Sequence, residues 1–225
     1  FIVNLIYRWG GIPMSKISWL HLSDLHLGRD VYNEKIVLEK LLADIKTQIE
    51  INNIELNLVF ITGDLTFSGQ KEEFDHVQEF IGELLIVTKL NKDDVVLVPG
   101  NHDVNHNQVL SIARNSKKLL NNRDAISEII GNETERDIYT QGLKNYYEFI
   151  ENNFSWAKAG KKNALSYTIN KKLNGTSVSI LSLNTAWLAY GNENEKGKIV
   201  LGERQVREAF DEIDNAQIIV ALFLY

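Results

Sequence analysis

The chain contains no cysteine, and this absence excludes disulfide bonds, thiolate metal ligands and cysteine nucleophiles. A transition-metal site must therefore use histidine, aspartate, glutamate or asparagine side chains. No apolar run approaches the roughly 18 residues that cross a membrane, so we predict a cytoplasmic protein without a membrane partner. Acidic residues outnumber basic ones, with 30 Asp and Glu residues and 24 Lys and Arg residues. Nucleic acid is disfavoured as a partner, since no broad basic field can replace the counterions of a phosphate backbone.

Methionine is nearly absent, because Met14 is the only one in 225 residues. The periodic pattern of apolar residues begins just after it, at Ile17. We therefore predict that residues 1–13 are a non-native or disordered leader and that residues 14–225 form one domain. A composition of 44% hydrophobic and 24% charged residues is typical of a folded globular domain with a sizeable core.

Strands and helices alternate along the first hundred residues. Short apolar runs at 17–22, 56–62 and 95–98 are typical of buried strands. Between them, residues 33–52 and 72–90 carry apolar side chains at helical spacing. This alternation predicts a layered α/β fold in which functional residues lie at the carboxyl ends of strands.

The pattern changes after the third strand. Residues 104–163 are rich in Asn, Lys and Glu and carry helical patches, so we predict a helical insertion there. Asn174-Gly175 predicts a hairpin, because both residues tolerate positive φ. A polar loop is predicted at 191–197, a helix at 203–213 and a last strand at 218–225. Five aromatic residues are expected to pack the insertion: Tyr146, Tyr147, Phe149, Phe154 and Trp156.

Three polar clusters stand where the three predicted strands end. Because the carboxyl ends of neighbouring parallel strands lie side by side, we expect the clusters to converge on one crevice. Asp, His and Asn supply oxygen and imidazole ligands, which suit Mn, Fe, Zn, Ni or Co without selecting among them. The clusters are Ser23-Asp24-Leu25-His26, Gly63-Asp64-Leu65-Thr66 and Gly100-Asn101-His102-Asp103.

Four of these residues are candidate metal ligands. Asp24 and His26 are two positions apart, so in an extended segment they would point the same way and grip one ion. The two oxygens of Asp64 can bridge two ions at a separation of roughly 3.5–4 Å. Asn101 can offer a neutral carbonyl oxygen to the second ion. The sequence therefore predicts two divalent ions held by loops from separate strands.

Two further residues are candidates for catalysis. His102 follows the Asn101 ligand directly and can hydrogen-bond or protonate a substrate oxygen. Asp103 can orient that imidazole and raise its basicity. We therefore predict His102 and Asp103 as a catalytic pair beside the metal ligands.

The three clusters resemble the fingerprint of the calcineurin-like metallophosphoesterase family. That fingerprint runs Asp-x-His, Gly-Asp-x-x, Gly-Asn-His-Asp/Glu, then a lone His and a Gly-His-x-His. The resemblance covers roughly residues 17–225 and implies a layered β-sandwich flanked by helices, incomplete here, with the helical insertion after the third strand. It also implies that Asp24, His26, Asp64 and Asn101 hold two divalent ions.

The resemblance implies an activity as well. It implies a phosphodiesterase or phosphatase in which a metal-bound hydroxide attacks phosphorus and His102 assists the leaving group without ligating metal. The expected partner is a small phosphoester such as a nucleotide. Gly-Asp-Leu-Thr followed by Phe67-Ser68-Gly69 most resembles the bacterial cyclic-nucleotide phosphodiesterase-like branch.

The sequence also departs from the fingerprint, because no histidine follows His106. The lone His and the Gly-His-x-His pair are missing, so we expect a domain truncated in its C-terminal part and weak or absent activity. Two alternatives stay open. The opening His-Leu-Ser-Asp-Leu-His-Leu-Gly also resembles DNA-repair nucleases of the same superfamily. The missing ligands favour an inactive metal-binding remnant or regulatory module.

Overall fold

The computed structural model describes residues 2–9, 12–115, 122–159, 165–190 and 200–224. It confirms the predicted α/β fold, with two sheets and flanking helices. The strands are β1 (Ile2–Trp9), β2 (Ile12–Leu22), β3 (Leu58–Thr62), β4 (Val95–Val98), β5 (Ser166–Leu173), β6 (Thr176–Leu183) and β7 (Ile218–Leu222). The helices are α1 (Val31–Ile51), α2 (Lys71–Thr88), α3 (Ser111–Arg114), α4 (Arg123–Gly131), α5 (Glu133–Thr140), α6 (Lys144–Asn153), α7 (Ser155–Ala159) and α8 (Glu203–Asp211).

The first sheet has the strand order β1-β2-β3-β4 and carries the candidate site. β2, β3 and β4 run parallel, with Leu22 opposite Ile61 and Thr62 opposite Val98. Every residue of β3 and β4 is buried. Continuous apolar runs are typical of parallel strands that are covered on both faces. The three carboxyl ends therefore meet at one edge of the sheet.

The second sheet has the order β5-β6-β7, with β5 and β6 antiparallel and β7 parallel to β6. The Ser182 hydroxyl donates to the Leu97 carbonyl oxygen at 2.8 Å, which ties β6 to β4. The Gln205 amide of α8 donates to the carbonyl oxygens of Leu165 and Asn184. These bonds link the two sheets and α8 through buried polar groups.

α1 and α2 follow the first and second site loops and pack against each other. The side chains of Leu42 and Ile45 are the buried part of α1. α2 buries one face, whose residues recur at helical spacing as the sequence predicts. The apolar members of that face are Phe74, Val77, Phe80, Ile81 and Leu84. Among the described residues no helix combines the length and hydropathy needed to cross a bilayer.

The described residues between 104 and 159 carry five helices and no strand, α3 to α7. Their aromatic side chains pack on one another, with the ring centroids of Phe154 and Trp156 5.4 Å apart, and on α2, where the Phe74 and Phe149 centroids are 5.3 Å apart. The Trp156 indole donates to the Val95 carbonyl oxygen at 2.9 Å. This helical segment therefore packs against β4, and its status as an insertion stays a prediction.

The predicted polar loop at 191–197 lies outside the described residues. So do residues 116–121 and 160–163 of the predicted helical insertion and residue 225 of the predicted last strand. At the other end of the chain, β1 pairs antiparallel with β2. The described backbone therefore places a strand within the stretch for which a leader is predicted. The origin of residues 1–13 stays a prediction.

The predicted hairpin joins β5 to β6 through Asn174 and Gly175, which have φ angles of 48° and 84°. A methyl group at Gly175 would meet no atom within 4 Å, so the backbone conformation alone sets the cost of a side chain. We expect Gly175→Ala to lower the free energy of unfolding by about 1 kcal/mol, measured by urea denaturation.

Gly82 is the matched control, because a methyl group there would also meet no atom within 4 Å. It lies inside α2 and has an ordinary helical conformation. Gly82→Ala should therefore raise the free energy of unfolding by about 0.5–1 kcal/mol. Equal effects of the two substitutions would contradict the assignment of the turn.

Candidate metal centre

Backbone hydrogen bonds hold the loops after β2, β3 and β4 against one another. The amide of Asp24 donates to the Gly63 carbonyl oxygen at 3.2 Å, and the amide of Gly63 donates to the Val98 carbonyl oxygen at 2.8 Å. The amide of His26 donates to the Asp64 carbonyl oxygen at 2.9 Å. The sheet pairing therefore continues beyond the strand ends and fixes the positions of the polar clusters.

Three side chains from these loops form one group of potential metal donors. Donor atoms of His26, Asp64 and His102 all lie within 4.8 Å of one another. His26 Nε2 lies 3.8 Å from Asp64 Oδ2, and the two imidazole rings meet edge to face with centroids 4.5 Å apart. Residues 26, 64 and 102 thus converge from three strands, as the sequence predicts for the crevice.

The carboxylate of Asp64 is the buried centre of this group. Its Oδ1 accepts a hydrogen bond from the backbone amide of His102 at 2.9 Å, while Oδ2 faces His26. Gly100 makes room for it, because a Cβ at that position would lie 2.1 Å from Asp64 Oδ1. The orientation of the carboxylate is therefore fixed by the Gly-Asn-His loop.

The expectation of an extended segment at Asp24 and His26 is wrong. These two residues have φ angles of 57° and 49°, and Asp64 has a φ angle of 51°. Left-handed backbone is uncommon for residues other than glycine, and it clusters at functional sites because surrounding contacts must hold it. The strand alternation that would align Asp24 with His26 does not apply here.

The remaining predicted ligands lie on the same loops as this group. Asp24 is exposed and is not part of the group of three. Asn101 is half-buried and begins a short 3₁₀ turn, Asn101–Asp103. The metal-ligand roles of both residues stay predictions.

His102 is oriented by a backbone carbonyl group. Its Nδ1 lies 2.7 Å from the Phe67 carbonyl oxygen and donates to it, since a carbonyl oxygen only accepts. In the neutral ring Nε2 is then left as an acceptor. No sequence pattern indicates this partner, because Phe67 lies 35 positions away and acts through its main chain.

Asp103 does not orient the imidazole of His102, so that part of the prediction is wrong. Its fully buried carboxylate accepts hydrogen bonds from the backbone amides of Gly100, Leu65 and Thr66 at 2.8, 3.2 and 2.8 Å. The Thr66 hydroxyl lies 2.9 Å from the same carboxylate. Asp103 therefore joins the loop after β3 to the loop after β4.

Burial raises the pKa of Asp103 to about 6, and the nearby charge of Asp64 adds to this rise. The hydrogen bonds from the backbone amides act in the opposite direction. The effect of burial on this pKa is larger than that of the hydrogen bonds. The carboxyl group that joins these two loops is thus harder to ionise in the folded protein than in water.

The donor set fits a divalent transition ion. Two imidazoles and a carboxylate are ligands that Mn, Fe, Zn, Ni and Co accept. The buried Nδ1 of His26 also has no hydrogen-bond partner within the described parts of the chain. A buried imidazole nitrogen without a partner is costly unless a ligand satisfies it. The group therefore has the chemistry of a metal site.

Two further residues support the loops and were not identified from the sequence. Glu73 in the first turn of α2 is buried and accepts hydrogen bonds from Ser68 and Gln70. Gly28 packs against it, because a Cβ there would lie 2.5 Å from the Glu73 side chain. A carboxylate three residues into a helix is a capping signal that could have identified Glu73.

Comparisons with known proteins identify the family of this chain. The family of calcineurin-like phosphoesterases matches residues 17–217. A metallophosphoesterase-like protein of Bacillus subtilis (strain 168), named YydB, is 24% identical over 200 residues, which are 88% of this chain and 39% of that protein.

A second relative comes from Vesicomyosocius okutanii subsp. Calyptogena okutanii (strain HA) and is named a probable cyclic nucleotide phosphodiesterase. It is 26% identical over 102 residues, which are 44% of this chain and 38% of that protein. The matched region thus spans about two fifths of each relative's length. Because the family match covers most of the chain, the protein belongs to the calcineurin-like phosphoesterase family.

Proposed function

We propose that the three loops form the active site of a metal-dependent phosphoester hydrolase with a dinuclear centre. One observation carries the proposal: the loops after three neighbouring parallel strands bring donor atoms of His26 and Asp64 together and place the imidazole of His102, the proposed proton donor, within 4.8 Å of both. Family membership supports the reaction class. Two divalent ions, of Mn, Fe, Zn, Ni or Co, are the proposed cofactors.

Each residue of the site has a proposed role. His26 and Asp24 would hold one ion, Asp64 would bridge that ion and a second, and Asn101 would contribute an amide oxygen to the second ion. Bound ions supply an activated water and withdraw charge from the phosphoryl oxygens. His102 holds or donates a proton at the leaving-group oxygen, and its Nδ1 bond to Phe67 keeps the ring in place.

The proposed substrate is a small phosphodiester. The name of the second relative supports a nucleotide, and the net charge of −6 disfavours long nucleic acids. The nuclease alternative therefore has weaker support, and location in the cytoplasm stays a prediction. An inactive metal-binding remnant or regulatory module is the remaining alternative.

The test is hydrolysis of bis(4-nitrophenyl) phosphate by the metal-free chain after addition of each of the five ions. We expect slow turnover with at least one ion, lost on addition of a chelator and restored by excess metal. Metal binding without turnover would support the inactive alternative and contradict the proposal. Turnover that a chelator leaves unchanged would contradict it as well.

His102→Gln tests the proposed proton transfer. We expect kcat to fall about 10²–10³-fold while metal affinity is unchanged. The loss should be larger for a phosphodiester with a poor leaving group, such as phenol, than for one with 4-nitrophenol, because the poorer leaving group needs the proton more. A large loss of metal affinity would instead make His102 a ligand.

A further inference from the structure

A cation lies beside the candidate metal centre on an aromatic ring. The guanidinium carbon of Arg29 lies 4.9 Å from the centroid of the Phe67 ring, and that ring lies 5.9 Å from the imidazole of His102. We propose that Arg29, held by Phe67, is a subsite for a second anionic group of the substrate. This inference rests on the proposed function and narrows its substrate to phosphoesters that carry a further negative charge.

The backbone that carries Arg29 is held on both sides. Glu34 of α1 accepts hydrogen bonds from the amides of Gly28 at 2.9 Å and Asp30 at 2.6 Å. The Leu27 carbonyl oxygen accepts from the amide of Phe67 at 3.0 Å. Arg29 and Phe67 therefore sit on segments that are bonded directly to each other. A side chain that is already in place loses less entropy when it binds a ligand.

The ring of Phe67 adds to this arrangement. A guanidinium group over an aromatic face is stabilised by the ring quadrupole. The carbonyl oxygen of the same residue accepts a hydrogen bond from His102 Nδ1. Phe67 thus positions the proposed proton donor with its carbonyl group and the proposed anion ligand with its ring.

The charges around Arg29 leave it suited to an anion. It is the only Lys or Arg within residues 23–30, 63–70 and 100–106, which form the three site loops. The neighbouring Asp30 caps α1, where its carboxylate accepts from the Asn33 amide and side chain, and the charge of Arg29 also attracts this carboxylate. None of the ion pairs in the described parts of the chain includes Arg29. Arg29 is therefore the basic side chain of these loops that can bind an anionic group of the substrate.

The Phe67 ring lies close to both the guanidinium group of the subsite and the imidazole of the proposed proton donor. The proposed ligand is a second phosphate or carboxylate on the same small substrate. The planar guanidinium group of arginine can bind such an oxyanion through two parallel hydrogen bonds.

The experiment compares the binding of two ligands that differ by one phosphate. Thymidine 3′,5′-bisphosphate and thymidine 5′-monophosphate are titrated by calorimetry into the protein with Mn²⁺. We expect the bisphosphate to bind about tenfold more tightly than the monophosphate. Arg29→Met should remove this ratio, Arg29→Lys should keep part of it, and Phe67→Leu should reduce it.

Lys35→Met is the matched control, because Lys35 is an exposed cation on α1 outside the three loops. It should leave the ratio unchanged. An unchanged ratio in Arg29→Met would overturn the subsite, as would equal binding of the two ligands, or no binding, by the unmodified protein. Tight binding of the bisphosphate without turnover of any phosphodiester would keep the subsite and contradict the hydrolase function.

Discussion

Replacing Asp64 with asparagine should abolish the metal-dependent turnover of bis(4-nitrophenyl) phosphate, with a loss in kcat/KM of about 10³-fold or more. The substitution keeps the size of the side chain, and its amide oxygen can still accept from the His102 amide as Oδ1 does. It removes the charged oxygen that faces His26. A neutral side chain cannot bridge two ions and offset their charge. The affinity for Mn²⁺, measured by calorimetry, should fall together with the rate.

Asp44→Asn is the control for the loss of one negative charge, since Asp44 is exposed on α1. It should leave both the rate and the metal affinity unchanged. Thermal melting of both variants should match that of the unmodified protein without metal. Equal turnover by Asp64→Asn and the unmodified chain would remove the assigned role of Asp64.

Replacing Asp103 with alanine should lower the free energy of unfolding by about 3–5 kcal/mol. The substitution leaves the buried amides of Gly100, Leu65 and Thr66 without their acceptor. An unsatisfied buried amide costs about 1–3 kcal/mol. Urea denaturation with chelator present measures this loss without a contribution from bound metal. A loss below about 1 kcal/mol would contradict the structural role of Asp103.

Asp103→Asn tests the same carboxyl group through pH. The folded pKa of about 6 lies above the usual value of 3.8, so between these values the folded protein binds more protons than the unfolded chain. The contribution of this group to stability is therefore fully present below about pH 4 and decreases as pH rises towards 6. Asp103→Asn should remove that decrease from metal-free unfolding measured at pH 4, 5, 6 and 7. Identical pH profiles for both proteins would contradict the raised pKa.

The first sheet is predictable from the sequence because β3 and β4 are buried along their whole length. β4 coincides with the predicted run at 95–98, and β2 and β3 end at the residues predicted, Leu22 and Thr62. A parallel strand covered on both faces needs an unbroken apolar run, and polar residues mark its end. The positions of the site loops follow from these ends.

The contacts inside the site are harder to predict from the sequence. The left-handed backbone at Asp24 and His26 depends on hydrogen bonds to the loop after β3, which no local pattern reveals. The partner of the His102 ring is a main-chain carbonyl group, so the side chain of Phe67 gave no signal. Asp103 was assigned to its sequence neighbour His102, while its acceptor oxygens serve amides up to 38 positions away.

The most direct test of the metal site is anomalous diffraction from crystals of the protein grown with Zn²⁺, recorded on both sides of the zinc absorption edge. The expected result is an anomalous peak about 2.0–2.2 Å from a ring nitrogen of His26 and a carboxylate oxygen of Asp64, with a second peak sharing Asp64. Zinc bound only elsewhere on the protein, or no zinc near residues 26 and 64, would contradict the convergence of the three loops on a metal centre.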